Sequence, residues 1–94
     1  MSLAVIEAKK AFALNEVPVG AIVVKDNKVI GSGFNTVIRD QSVMAHAEIN
    51  AINDASKAIN NYRLVNCDLY VTLEPCHMCA KAIVDARISS LYFG

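Results

Sequence analysis

The segment CDLYVTLEPCHMCAKAIVDARISSLYF, residues 67–93, decides the architecture. Cys67 to Leu73 reads as a strand whose Leu69, Tyr70, Val71 and Leu73 supply apolar or aromatic area to both faces, the pattern of a strand covered on two sides. Pro75 stops it. Cys76 to Arg87 carries helical spacing, with Ala80, Ile83 and Val84 expected to face inward, and Ile88 to Phe93 is apolar enough for another strand. Strand, helix and strand with short connections predict a βαβ unit with parallel strands and a right-handed crossover.

Working back towards the N-terminus, Ala45 onward repeats Ile49, Ile52, Ala55 and Ile59 every three or four positions, a helix ending before Asn60-Asn61. Before it, Asn35 to Met44 shows no periodicity and reads as a loop long enough to carry function. Ala21–Lys25 and Lys28–Ile30, the latter running into Gly31-Ser32-Gly33, flank Asp26-Asn27 and predict an antiparallel hairpin with a two-residue turn. Residues 3–14 predict an amphipathic helix with Val5, Ile6, Ala8 and Phe12 inward and Glu7, Lys9 and Lys10 in water. The order α-β-β-α-β-α-β gives an α/β domain, a mixed sheet with helices on its faces. The final strand, Ile88–Phe93, is left with an open edge, so either a partner chain or further sequence is expected to cover it.

Ninety-four residues suffice for one core, so residues 1–94 are taken as a single domain. With 54% apolar and 19% charged residues, disorder is excluded. Nine basic side chains balance nine acidic ones, so no general polyanion-binding field follows from the total. The longest nearly apolar run, Val17–Val24, is broken by Pro18 and Gly20 and falls far short of the roughly 20 residues that cross a bilayer. No secretory signal is visible, and three cysteines, an odd number, suit metal or redox chemistry in a reducing compartment. A soluble cytoplasmic protein without membrane contact is the expectation.

The chemistry lies in His46-Ala47-Glu48 together with Pro75-Cys76-His77-Met78-Cys79. Cysteines at i and i+3 of a helix point to one side and can reach one cation, and His46 at the start of a different helix can complete a Cys2His set. Three protein ligands leave one tetrahedral position for water, the arrangement of a catalytic zinc site. Two thiolates formally balance Zn²⁺, and the positive ends of two helices favour them. On a regular helix Glu48 would stand about 200° from His46, so it is not a second ligand on the same stripe. With His46 still in the entering loop, the carboxylate can instead point over the metal as a proton shuttle. Cys67 reads as a small buried hydrophobe, and His77 as an exposed or locally bonded residue.

These two motifs resemble the H-x-E and P-C-x-x-C halves of the zinc-dependent cytidine and deoxycytidylate deaminase superfamily. Val17-Pro18-Val19-Gly20-Ala21, Gly33-Phe34-Asn35, Ala45 to Ile49, Asn61-Tyr62-Arg63-Leu64 and Leu69 to Cys79 are similar, in order, to the bacterial branch acting on adenosine in tRNA. The resemblance implies a three-layer α/β/α fold with zinc on His46, Cys76 and Cys79 and with Glu48 catalytic. It also implies that Asn35, Val19 and Ala47 contact the substrate. The implied reaction converts the wobble adenosine of a tRNA anticodon stem-loop to inosine, in a homodimer. The chain departs from the family's usual pattern at Ser42-Val43-Met44 and at His77, and the family normally continues past Gly94 with a further strand and helices. A truncated C-terminus is therefore expected. Alternatives are a deaminase of a free cytidine, deoxycytidylate or guanine type of substrate, a C-x-x-C thiol–disulfide oxidoreductase, and a zinc-stabilised RNA-binding fragment without catalysis.

Overall fold

The structure, a computed structural model, describes residues 1–94. The Asp26-Asn27 turn places both residues at positive φ, 52° and 62°, the twist that suits a two-residue hairpin between β1 (Gly20–Lys25) and β2 (Lys28–Phe34). Ile30 lies opposite no residue of β1, because Val23 pairs with Gly31 and Val24 with Val29, and this bulge bends the outer strand. The remaining elements are α1 (Ser2–Ala13), α2 (Val37–Asp40), α3 (Ala47–Ala58), β3 (Asp68–Val71), α4 (His77–Asp85) and β4 (Ser90–Phe93). The sheet runs β2-β1-β3-β4. β1 is antiparallel to both of its neighbours, and β3 and β4 are parallel across α4, as the βαβ reading requires.

Residues alternate between the faces of a strand, so the β1–β3 register puts Ala21, Val23, Leu69 and Val71 on one face. There they join Ala47, Ala51, Ile52 and Ala55 of α3 and Ile83 of α4 in a single buried core. Helix α1 covers β1 and β2 on the opposite face, completing three layers. Close approach dictates which side chains fit. A Cβ on Gly20 would strike the Ala4 carbonyl and the Ala8 amide, and one on Gly33 would meet the backbone of Ala47 and Ala51.

That closeness overturns the expected face of α1. Its buried residues are Ala4, Glu7, Ala8 and Ala11, while Val5, Ile6 and Phe12 are exposed, Phe12 at 71%. Only alanine-sized side chains pass over Gly20, and Glu7 is buried with its carboxylate 2.6 Å from the Lys10 ammonium. Likewise α4 turns Cys79 and Ile83 inward and leaves Ala80 and Val84 exposed. In β3 only Leu69 and Val71 are buried. Its other face carries Tyr70 stacked on Tyr92 with ring centroids 4.8 Å apart, so the strand is covered on one side and partly open on the other. In α3 the core stripe is Ala47, Ala51, Ile52 and Ala55, with Ile49 on its half-buried flank. Asn60 at φ 52° ends that helix, as Asn60-Asn61 led one to expect. The loop 35–44 contains the single helical turn α2. No helix is long and apolar enough to cross a membrane.

Candidate metal centre and its cavity

His46 and Cys76 occupy equivalent places: each is the extended residue immediately before a helix, His46 (φ −77°, ψ 156°) before α3 and Cys76 (φ −74°, ψ 175°) before α4. Cys79 follows in the first turn of α4 and is fully buried. Both helix starts converge, bringing His46 Nδ1 within 3.6 Å of Cys76 Sγ and 3.5 Å of Cys79 Sγ. All three donor atoms lie within 4.8 Å of one another. A tetrahedral zinc with bonds of about 2.3 Å to sulfur and about 2.0–2.1 Å to nitrogen holds such an N and S about 3.5 Å apart. The donor set therefore fits zinc in chemistry and in spacing.

Burial pushes the Cys79 thiol well above its ordinary value, reinforced by the charge of Glu48 and by Cys76. A sulfur that resists ionisation in this setting is suited to a cation that supplies the missing positive charge. Because His46 is still extended, Glu48 on the first turn of α3 shares a cavity with it instead of pointing to the far side of the helix. Glu48 is 4% exposed, and the same cavity, about 240 Å³, is lined by Val17, Val19, Asn35, His46 and Cys76, with Leu73 and Glu74 at its exposed side. That volume lies below the roughly 300 Å³ at which pockets for drug-sized ligands begin, and suits one ring system.

Of the residues expected to meet substrate, Val19 and Asn35 are on the cavity wall. Ala47 is not: it is completely buried and acts through its backbone, donating its amide to Asn35 Oδ1 at 2.8 Å. That bond turns Oδ1 towards the start of α3 and leaves Nδ2 without a partner in the chain. His77 is exposed and Cys67 is fully buried, as read from the sequence. Sequence reasoning missed Glu16, buried, whose Oε1 and Oε2 accept the amides of Ile38 (3.0 Å) and Arg39 (2.7 Å). It also missed Asn50, whose amide bonds the Phe34 carbonyl and the Thr36 hydroxyl. No local signal marked Asn50, because its partners lie 16 and 14 residues earlier in the chain.

The family model described as cytidine and deoxycytidylate deaminase zinc-binding region matches residues 1–94. A tRNA-specific adenosine deaminase from Buchnera aphidicola is 51% identical over 94 residues, all of this chain and 62% of the relative. One from Haemophilus influenzae is 54% identical over 88 residues, 93% of this chain and 51% of the relative. A solved structure from studies of A-to-I editing by tRNA:A34 deaminases superposes with a TM-score of 0.98 at 50% identity, covering 100% of this chain and 68% of that one. Guanine deaminase from Bacillus subtilis gives 0.95 at 37%, covering 99% and 60%. The chain thus spans between half and two thirds of the length of these two curated relatives.

Proposed function

The chain belongs to the cytidine and deoxycytidylate deaminase zinc-binding family, and from that premise we propose that it hydrolyses adenosine to inosine at the wobble position of a tRNA anticodon. The observation that carries this reading is the placement of Glu48 in one small cavity with His46 and Cys76 and with the unpaired Nδ2 of Asn35. The tRNA-specific adenosine deaminases of Buchnera and Haemophilus support the choice of substrate at 51% and 54% identity, against 37% for the guanine deaminase.

His46, Cys76 and Cys79 would hold the zinc. When bound, the metal supplies Lewis acidity that brings the ionisation of water towards neutral pH. The chain's own residues do the rest. Val19 closes against the base, and Asn35 Nδ2 donates to one of its acceptors, with the side chain held in that orientation by the Ala47 amide. A Glu48 carboxylate oxygen takes a proton from the attacking water and gives it to the ring nitrogen beside the attacked carbon. It then carries the remaining hydroxyl proton to the exocyclic amine, so adenosine and water become inosine and ammonia. The low exposure of Glu48 keeps these protons from bulk solvent. The same reading makes the anticodon stem-loop the partner, a homodimer the assembly and the cytoplasm the location, which the three free cysteines favour.

Incubating zinc-loaded protein with an adenosine-containing anticodon stem-loop, cytidine, deoxycytidylate and guanine tests the proposal. Inosine with equimolar ammonia from the stem-loop is expected. Uridine, deoxyuridylate or xanthine in its place moves the protein to another branch of the family, and binding of the stem-loop without ammonia release reduces it to an RNA-binding domain.

A further inference from the structure

We propose that Asn50, outside the cavity, is a positioning residue that sets the orientation of Asn35 and through it the grip on the base; this rests on the deaminase reading above. The Thr36 hydroxyl donates to Asp40 Oδ2 at 2.6 Å. With its proton committed there, Thr36 Oγ1 can only accept from Asn50, which fixes Nδ2 as the atom facing the loop. Asn50 Nδ2 then donates to Thr36 Oγ1 at 3.0 Å and to the Phe34 carbonyl at 2.8 Å. Those acceptors belong to the residues on either side of Asn35. Thr36 is almost wholly buried, and its amide donates to the Ala45 carbonyl at 3.0 Å, closing the loop beside His46.

Asn35 is therefore gripped at both flanks by one amide rooted on α3, while its own Oδ1 takes the Ala47 amide from the start of the same helix. A single rigid element holds the backbone around Asn35 and the side chain itself, so its free Nδ2 presents one direction to the cavity. Asn50→Asp keeps the shape but sets a carboxylate oxygen against the Phe34 carbonyl and a hydroxyl whose proton is already given away. Asn50→Leu removes the donors without that repulsion.

The test compares zinc-loaded wild type, Asn50→Asp, Asn50→Leu, Asn35→Ala and Asn35→Ala/Asn50→Asp on the adenosine stem-loop. Loss of a contact present in ground and transition states alike should raise the KM of Asn50→Asp about tenfold while kcat stays within about threefold. Asn50→Leu should show a smaller rise, zinc content should hold at one per chain, and the double variant should be no weaker than Asn35→Ala alone. Hydrogen exchange at the Ala47 amide, which needs no turnover, should quicken in Asn50→Asp and Asn50→Leu. An unmoved KM, effects that simply add, or unchanged Ala47 exchange each overturn the proposal, and Asn50→Leu carries the comparison if Asn50→Asp fails to fold. Absence of inosine from wild type sinks the deaminase reading instead, with the exchange measurement still deciding whether Asn50 orients Asn35.

Discussion

Replacing Glu48 by Gln keeps the size of the side chain and removes its ability to carry a proton. Turnover should fall by roughly 10² to 10⁴ or more, the range for a lost general acid–base group, while zinc content stays unchanged. Metal analysis beside single-turnover kinetics checks both halves, and wild-type rates would remove the shuttle assignment. Asp40 gives a second outcome at this scale. The Thr36 hydroxyl, then Arg39, holds its carboxyl below the ordinary value of 3.8. A lowered folded value contributes stability above the unfolded value and loses it as pH falls through the folded one. The Thr36–Asp40 bond should therefore survive at pH 4 and open only at lower pH, as an NMR titration of Asp40 would show. The meeting of His46, Glu48, Cys76 and Cys79 was legible only from the two motifs taken together, since a C-x-x-C alone has many uses. Glu16 was not, since a buried acid that accepts two amides is indistinguishable in sequence from a solvated one.

At the scale of elements, the hairpin, α3 and the βαβ unit could be read because turn residues and apolar periodicity agree. Helix faces were harder. α1 and α4 each offer large apolar side chains on a side that this chain leaves open, and the buried side of α1 is set by a glycine on another strand. Gly20→Ala follows directly: its methyl would land on the α1 backbone, which no side-chain rotation relieves. A loss of about 1–3 kcal/mol is expected from such overpacking, read as a lower urea midpoint. An unchanged midpoint would show that α1 slides aside freely. Phe12→Ala, by contrast, removes a side chain that is 71% exposed and should change the stability by no more than about 0.5 kcal/mol, leaving the urea midpoint nearly where it was.

For the molecule as a whole, element order gave a mixed sheet with helices on its faces, and the family resemblance implied three layers; the strand order β2-β1-β3-β4 and the distance between the two motifs emerge only in the fold. Sequence says that His46 and Cys76 stand thirty residues apart; only folding of α3, β3 and α4 brings their donor atoms to 3.6 Å. Stripping zinc with a chelator should lower the thermal midpoint and raise hydrogen exchange first at the starts of α3 and α4, because the metal's binding free energy is partly folding free energy. Equal midpoints with and without metal would argue against His46, Cys76 and Cys79 as its ligands.

The two helix starts proposed to share a cation would also act on the chain when it is not folded. A metal retained during denaturation would tie a thirty-residue lasso containing α3 and β3. By the chain-entropy estimate for a cross-link of that length, such a tether restrains the disordered ensemble by about 3.6 kcal/mol. Refolding from urea should accordingly run faster when zinc is carried through the denatured state than when it is added afterwards, so that the ion serves as a kinetic guide as well as a reagent.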